Sequence, residues 1–238
     1  MTEISYVGSE LELFSKARNW KAYWASQIRP FIGKQVLDVG AGIGSNLDQL
    51  WSEGAQWTCL EPDPNLVADL RVKASALGDS VTVSTGTLQD LTQQPEFDTI
   101  IYIDVLEHIE HDRAELVSAA KKLVPGGHLV VLSPAFQYLY SPFDDAVGHF
   151  RRYTRNSLRS LEPEGLELRR MECLDCVGAL ASTSNKLLLR SAQPKPGQIA
   201  LWDKAMVPLS RSFFDKALSR WFGRSIYGVW QRPQNNAS

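Results

Sequence analysis

The chain has 238 residues, a formal net charge of −2 and an ordinary apolar share of 44%, which bound it to one globular domain or one domain with a modest appendage. A slightly acidic balance lacks the basic footprint of a general nucleic-acid binder, and no apolar run approaches the roughly 20 residues of a membrane span. Three cysteines make no disulfide framework, and the N-terminus has no basic-then-apolar leader, so the cytoplasm is the expected compartment.

Residues 1–30 carry Leu11, Leu13, Phe14, Trp20, Tyr23 and Trp24 before Pro30. They are expected to form helices over the sheet edge or the mouth of a site. Val36 to Val39 reads as a short strand broken only by Asp38, followed by Gly40, Gly42 and Gly44, and a helix is expected from Ser45 with Leu47, Leu50 and Trp51 on one face. Trp57 to Leu60 is a second strand ending in Glu61, and Asp63 is placed to cap a helix over Pro64–Leu77. Val81–Val83 and the near-continuous apolar run Phe97–Ile103 are strands three and four, the latter of the kind buried on both faces.

A helix is predicted from Asp112 to Val124, stopped by Pro125-Gly126-Gly127. Strand five is His128–Leu132, a helix capped by Thr154 runs to Leu161, and strand six spans Leu166–Leu174. Residues 177–222 read as largely helical and Ser225–Gln231 as a last strand, before a polar tail at Gln234–Ser238. Alternating strands and helices predict an α/β fold with a doubly wound, mostly parallel seven-stranded sheet. The single domain divides into a helical cap (1–32), a cofactor-binding core (33–175), a helical insertion that would roof an acceptor pocket (176–222), and the last strand and tail (223–238).

Strand, glycine turn, helix lets a backbone approach a nucleotide closely, because glycine tolerates positive φ and carries no Cβ. The spacing here is G-x-G-x-G rather than the G-x-G-x-x-G of dinucleotide sites, which disfavours a nicotinamide oxidoreductase. A tight turn after an acidic residue suits a ligand without phosphates, and S-adenosylmethionine is one. A carboxylate at the tip of strand two, Glu61, is where a ribose diol is held in such folds; the alternative is a helix cap. Cys173 and Cys176 form one C-x-x-C with no second pair to complete a zinc site, and plain buried packing is expected.

In its glycine loop at 38–44, Glu61, Val105-Leu106-Glu107-His108 and Pro125-Gly126-Gly127, in order and spacing, the chain resembles class I S-adenosylmethionine-dependent methyltransferases over roughly residues 33–175. Gly148-His149-Phe150-Arg151-Arg152-Tyr153-Thr154 is similar to a bacterial subgroup with a Gly-His-x-Arg-Arg-Tyr motif, as are Asp203, Val207-Pro208 and Ser210-Arg211. The resemblance implies a Rossmann-like fold and S-adenosyl-L-methionine as cofactor. It implies that Asp38 orients the glycine loop and the methionine amino group, that Gly40, Ala41 and Gly42 pass beneath the methionine and ribose with Gly44 also in the cofactor loop, that Glu61 holds the ribose, and that Pro62 or Asp63 flanks the adenine. Thr87 stands where many members carry an acidic residue, with adenine contact shared by the Leu88 backbone, and Asp104 would face the methionine end.

Ligands bind at the carboxyl ends of open sheets, which puts His108, His111 and His149 within reach of the reactive face and His128 at the opposite end. His111 is expected to be solvated. His149 is the expected general base or acceptor-orienting residue, with His108 as competitor. The loop from Pro134 to Tyr153 is long enough to be functional, and its Phe136, Tyr138, Tyr140, Phe143, Phe150 and Tyr153 are expected to line an acceptor pocket. Arg151 and Arg152 would either grip an anionic acceptor group or pair with Asp144 and Asp145. No metal is expected. The one option is Asp104, Glu107 and His108, which match the spacing of an acidic-x-x-Glu-His arrangement in ubiquinone-pathway O-methyltransferases, thought there to hold a divalent ion.

The expected activity is methyl transfer to a small molecule, at an oxygen of a glycan, a lipid-linked sugar or a secondary metabolite. A protein or peptide N-methyltransferase and a non-catalytic methyltransferase-like module are the alternatives. No nucleic-acid partner and no integral membrane segment are expected, and the chain would act as a monomer or homodimer.

Overall fold

A computed structural model describes residues 16–91, 96–184 and 196–234. Leu11, Leu13 and Phe14 and the end of the polar tail lie outside them. Seven strands, β1 (Gln35–Val39), β2 (Gln56–Glu61), β3 (Val81–Thr85), β4 (Phe97–Ile103), β5 (Leu123–Pro134), β6 (Glu167–Leu174) and β7 (Ser225–Gln231), form one sheet in the order β3-β2-β1-β4-β5-β7-β6. All neighbouring pairs are parallel except those of β7, which runs antiparallel to both β5 and β6. The order reverses between β1 and β4, and that topological switch point is where a crevice opens beyond the carboxyl ends of the strands.

The helices are α1 (Arg18–Ile28), α2 (Ser45–Leu50), α3 (Pro64–Ser75), α4 (Asp112–Lys121), α5 (Pro142–Ala146), α6 (Arg155–Arg159), α7 (Cys176–Ser184) and α8, a run over 196–218. Each strand feeds two cores by alternation. In β4, Ile101 and Ile103 face one cluster with Trp20, Trp24, Leu47 and Trp202, while Ile100 and Tyr102 face the other with Leu116, Leu129 and Trp230. Caps fall where expected: Asp63 accepts from the Asn65 N–H at 2.8 Å and the Thr154 side chain from the Ser157 N–H at 3.1 Å.

Several boundaries shift by a residue or two, and the largest difference is at the start of β5. The helix predicted to reach Val124 ends at Lys121, and Leu123 already pairs with Phe97 as the first residue of β5. Pro125-Gly126-Gly127 is therefore no helix stop but a bulged strand entry, between the Leu123 and His128 pairings. Leu123 is fully buried, and burying it against β4 outweighs continuing the helix. Gly127 is required there, since a Cβ would lie 3.0 Å from the Asp98 carbonyl.

Candidate active site

A cavity of about 1300 Å³ runs along the switch point. That exceeds the usual ~300–1,000 Å³ of a single small-ligand site, and leaves room for a cofactor and an acceptor together. Its walls come from the β1–α2 loop, the tip of β2, Gly86–Gln89, the segment after β4, α1, the 134–152 loop and Arg224.

The half of the cavity expected to hold a cofactor is shaped by backbone geometry. Gly40, Gly42 and Gly44 have φ of 67°, 56° and 77°, a region that costs L-residues energy. A Cβ on Gly40 would sit 2.7 Å from Val105. The Gly42 N–H donates to Glu61 Oε2 at 2.8 Å and the Asp63 N–H to Oε1 at 2.9 Å. Glu61 therefore ties the glycine loop to the tip of β2 and does not cap α3, which Asp63 does. Gly40, Ala41, Gly42, Glu61, Pro62, Thr87, Leu88 and Asp104 all line the cavity.

Two expected cofactor residues do not. Asp38 is fully buried and accepts from Asn46 Nδ2 at 2.9 and 3.2 Å, so it reaches the cavity only through Asn46, which lines it. Gly44 is buried as the N-cap of α2 with its missing Cβ toward Leu70 and Lys73, so its glycine serves the turn rather than a ligand. The Thr87 hydroxyl forms a capping box with Asp90.

The other half is built on the segment after β4 and the 134–153 loop. Asp104, with φ 54°, is exposed toward the cavity. Its seat within the cleft still desolvates it and raises its pKa to about 6, against the opposing pull of His149, Arg224 and Arg152. Glu107 is fully buried, and among the described residues neither its carboxylate oxygens nor the adjacent Ser133 hydroxyl makes a well-aligned hydrogen bond, although Ser133 stands close enough to favour the charged carboxylate. Burial and the charge of Asp104 push the Glu107 carboxyl well above the ordinary carboxylate range. His149 Nδ1 lies 2.8 Å from Asp144 Oδ1 and Nε2 3.9 Å from Glu107 Oε1. The His108 ring stands edge-on to His149 at 4.6 Å between centroids, and burial together with His149 depresses its pKa to about 4.

Arg152 clamps Asp144 through Nε at 2.7 Å and Nη2 at 3.0 Å, and Ser141 donates to the same carboxylate through N–H and Oγ–H at 2.9 and 3.0 Å. Burial opposes these contacts, yet the His149 and Arg152 bonds hold the Asp144 carboxyl below the usual carboxylate range. Asp144 thus orients His149, and Arg152 orients Asp144.

The structure places the expected substrate residues as follows. Arg152 lines the cavity but its guanidinium is engaged with Asp144. Arg151 pairs with Asp112 at 2.8 Å and the Glu110 carbonyl at 2.8 Å rather than with Asp144 or Asp145, and it does not line the cavity. Tyr153 is buried with its hydroxyl on Asp112 at 2.8 Å, and Tyr140 donates to the His149 carbonyl at 2.7 Å; neither lines the cavity. Of the six aromatics in that loop only Phe143 reaches the wall, because Phe136 and Tyr153 pack into the core beneath it. Of the apolar residues expected in a lid over 176–222, Trp202 alone faces the cavity. His111 is exposed at the head of α4 and His128 sits edge-on to Phe31. Cys173 and Cys176 are free and buried.

Glu107, His108 and His149 bring ligand-capable atoms within 4.8 Å of one another. Asp104, part of the expected metal option, is not in this cluster; His149 takes its place.

Burial also raises the Asp38 pKa to about 7, with Glu61 adding to the effect, and raises Glu61 itself. Such carboxyls hold protons that the unfolded chain releases, so their contribution is full at low pH and is lost as pH climbs through about 6 to 7. His108, depressed to about 4, has the opposite sign but acts only below the unfolded value near 6.5. The ligand-free protein should therefore melt at a lower temperature at pH 7.5 than at pH 6.5. A cationic ligand should raise that temperature more at the higher pH, where the carboxylates are charged. Differential scanning fluorimetry with and without S-adenosylmethionine checks this; a ligand shift identical at both pH values contradicts it.

Residues 37–129 match the family described as a methyltransferase domain. The chain is 35% identical over 99 residues to a ubiquinone biosynthesis O-methyltransferase of Xanthomonas euvesicatoria, covering 41% of each, and 35% identical over 104 residues to one of Xylella fastidiosa, covering 43% of this chain and 42% of that protein. It spans about two fifths of the length of the curated relatives it matches. Over 96% of its length it shares its architecture with the [4+2]-cyclase SpnF (TM-score 0.63, 17% identity, 95% of that chain). It likewise resembles an S-adenosylmethionine dependent methyltransferase of Mesorhizobium loti (TM-score 0.59, 16% identity, 89% of this chain and 98% of that). These likenesses establish the Rossmann-like methyltransferase fold. The matched domain lies within this fold, from β1 into β5. Among the described residues no helix is long and apolar enough to cross a membrane.

Proposed function

We propose that this chain transfers a methyl group from S-adenosyl-L-methionine to an oxygen of a small-molecule acceptor. The observation that carries this reading is a single cavity with the glycine cradle and Glu61 at one end and His149, held by Asp144, at the other. The cofactor supplies a methyl on a sulfonium, an electrophile whose leaving group is neutral. The acidic lining, Glu61, Asp63, Asp104 and Glu107, suits a cofactor with two cationic groups. Glu61 has lone pairs left for two ribose hydroxyls, and Asn46, fixed by Asp38, faces the methionine portion. His149 Nε2 takes the proton of the acceptor hydroxyl as its oxygen becomes the nucleophile. The cavity walls align the acceptor at near-attack distance.

The names of the curated relatives support oxygen as the methylated atom and lend nothing to the sugar acceptors suggested by sequence. The test is transfer of labelled methyl to a panel of phenols, glycans, lipid-linked sugars and peptides. O-methylated small-molecule product is expected; methylated peptide, or cofactor binding without transfer to any class, would count against the proposal.

One observation favours a second reading. The Glu107 oxygens, which make no well-aligned hydrogen bond among the described residues, would hold a divalent cation together with His108 and His149, and the cation would acidify a bound hydroxyl. Neutral His108 suits a ligand role, and Asp144 on the far nitrogen of His149 is a carboxylate–histidine second layer of the kind that metal sites use. If His149 acts directly as base, turnover should survive dialysis against a chelator. Turnover lost on chelation and restored by zinc or manganese would replace the base with the metal.

A further inference from the structure

The helix α8 has two faces of different chemistry. Inward, Ile199, Trp202, Val207 and Ser210 are buried, and so are its two acidic residues. Asp203 accepts from the Trp20 N–H at 2.9 Å; Asp215 accepts from the Tyr23 hydroxyl at 2.8 Å and from the N–H groups of Asp175 and Cys176 at 2.6 and 2.9 Å. Outward, Leu201, Leu209 and Phe213 are 58%, 49% and 71% exposed, and Trp221, just past the helix, 69%. Lys204, Arg211, Lys216 and Arg220 are exposed among them, and no acidic residue of 196–221 is.

Leu201, Ala205, Leu209, Phe213 and Ala217 recur at every fourth position. In a pure α-helix, at 3.6 residues per turn, such a row slants around the axis. Two π-helical stretches, Trp202–Met206 and Ser210–Phe214, bond i to i+5 and put more residues in each turn. That correction keeps the row on one face. Exposed Leu, Phe and Trp beside Lys and Arg on a helix with a distinct polar side is the composition of an element that lies in a lipid–water interface. The charge is segregated as well: residues 176–224 hold eight Lys and Arg against two Asp, in a chain whose net charge is −2.

We propose that the outer face of α8, with Trp221, docks on an anionic lipid surface. A second copy of the chain fits this face poorly. A two-fold contact sets a patch against itself, so the four cations would meet their own copies with no exposed carboxylate on this segment to receive them. A lipid leaflet bearing phosphate charge meets them everywhere, each basic residue strengthening association by about fivefold. Trp202, on the opposite side of the same helix, lines the cavity. Docking therefore sets one wall of the site toward the membrane and gives an acceptor dissolved there a short path in. The inference goes beyond the methyl-transfer reading and does not rest on it.

The test is co-flotation of the full chain with phosphatidylcholine vesicles, with and without phosphatidylglycerol. Binding is expected to the anionic vesicles only and to fade at high salt. The double variant Lys216→Glu and Arg220→Glu should weaken it by at least about tenfold. Phe213→Ser with Trp221→Ser should also weaken it, with melting temperature unchanged because both side chains are exposed. Absent binding, equal binding to neutral vesicles, or wild-type binding by the charge variant would overturn the proposal. So would a dimer in light scattering that the Phe213→Ser and Trp221→Ser variant dissolves.

Discussion

Gly42→Val is expected to abolish measurable S-adenosylmethionine binding, a loss of at least about 100-fold, while the protein still folds. Gly42 lines the cavity with φ 56° and its N–H is bonded to Glu61. A β-branched side chain there enters the cofactor's space and is strained by about 1–3 kcal/mol at positive φ. Relief of that strain turns the N–H away from Glu61, so the loop and the tip of β2 lose their mutual support. Strain alone is not the predicted cause, and a control separates the two. Gly54 also has positive φ, 83°, but nothing lies within 4 Å of its Cβ position, and it is not part of the cavity wall. Gly54→Val should lower the melting temperature and leave affinity intact. Calorimetric titration of both variants decides the matter; wild-type affinity in Gly42→Val would remove the glycine loop from the cofactor site.

The parts of this architecture that were legible in sequence are those written in short-range pattern. Phe97–Ile103 announced a strand buried on both faces because nearly every residue in it is apolar, and the structure buries six of the seven. Three glycines at alternate positions after an apolar run announced a turn with positive φ, and all three have it. Glu61 was legible because its distance from the glycine loop is set by one βαβ unit.

Long-range pairings were not legible. Arg224 directly precedes β7, far along the chain from the glycine loop, yet it lines the cavity with its guanidinium over the Trp202 ring at 4.4 Å. No local signal marks it; only the antiparallel insertion of β7 beside β5 brings it there. No local pattern singles out Asn46, whose amide links the buried Asp38 to the cavity wall. The aromatic loop misled for a definite reason. Aromatic residues in a loop close to a sheet bury the most area by packing on that sheet, and Tyr153, bridged to Ala135, does so. Composition says that a segment has something to bury, not whether a core or a ligand receives it. Asp144 was legible as an acidic neighbour of Arg152 but not as the orienter of His149, since the turn of α5 and Gly148 brings the two together.

His149→Ala should lower turnover by about 10²–10⁴-fold, the range for a lost acid–base group, and scarcely change cofactor affinity. The geometry is specific about the atom. Nδ1 is occupied by Asp144 at 2.8 Å, and with Nδ1 protonated the Nε2 lone pair is the free base, on the side of Glu107 and the cavity. Asp144 cannot swing away, because Arg152 holds it from one side and the Ser141 N–H and hydroxyl from the other. Asp144→Asn should therefore lower kcat without altering cofactor affinity, since an amide offering its NH2 to Nδ1 selects the other tautomer. His108 is the competing base, and its pKa of about 4 separates the two. A group already neutral at pH 5 cannot produce an activity limb above that pH. His108→Ala should therefore leave any limb above pH 5 in place, and His149→Ala should lower kcat far more than His108→Ala does. Near-normal turnover in His149→Ala would make His149 a structural residue, its ring a wedge between Glu107 and Asp144. The proton would then pass to a metal-bound or free water, and the chelation experiment distinguishes these.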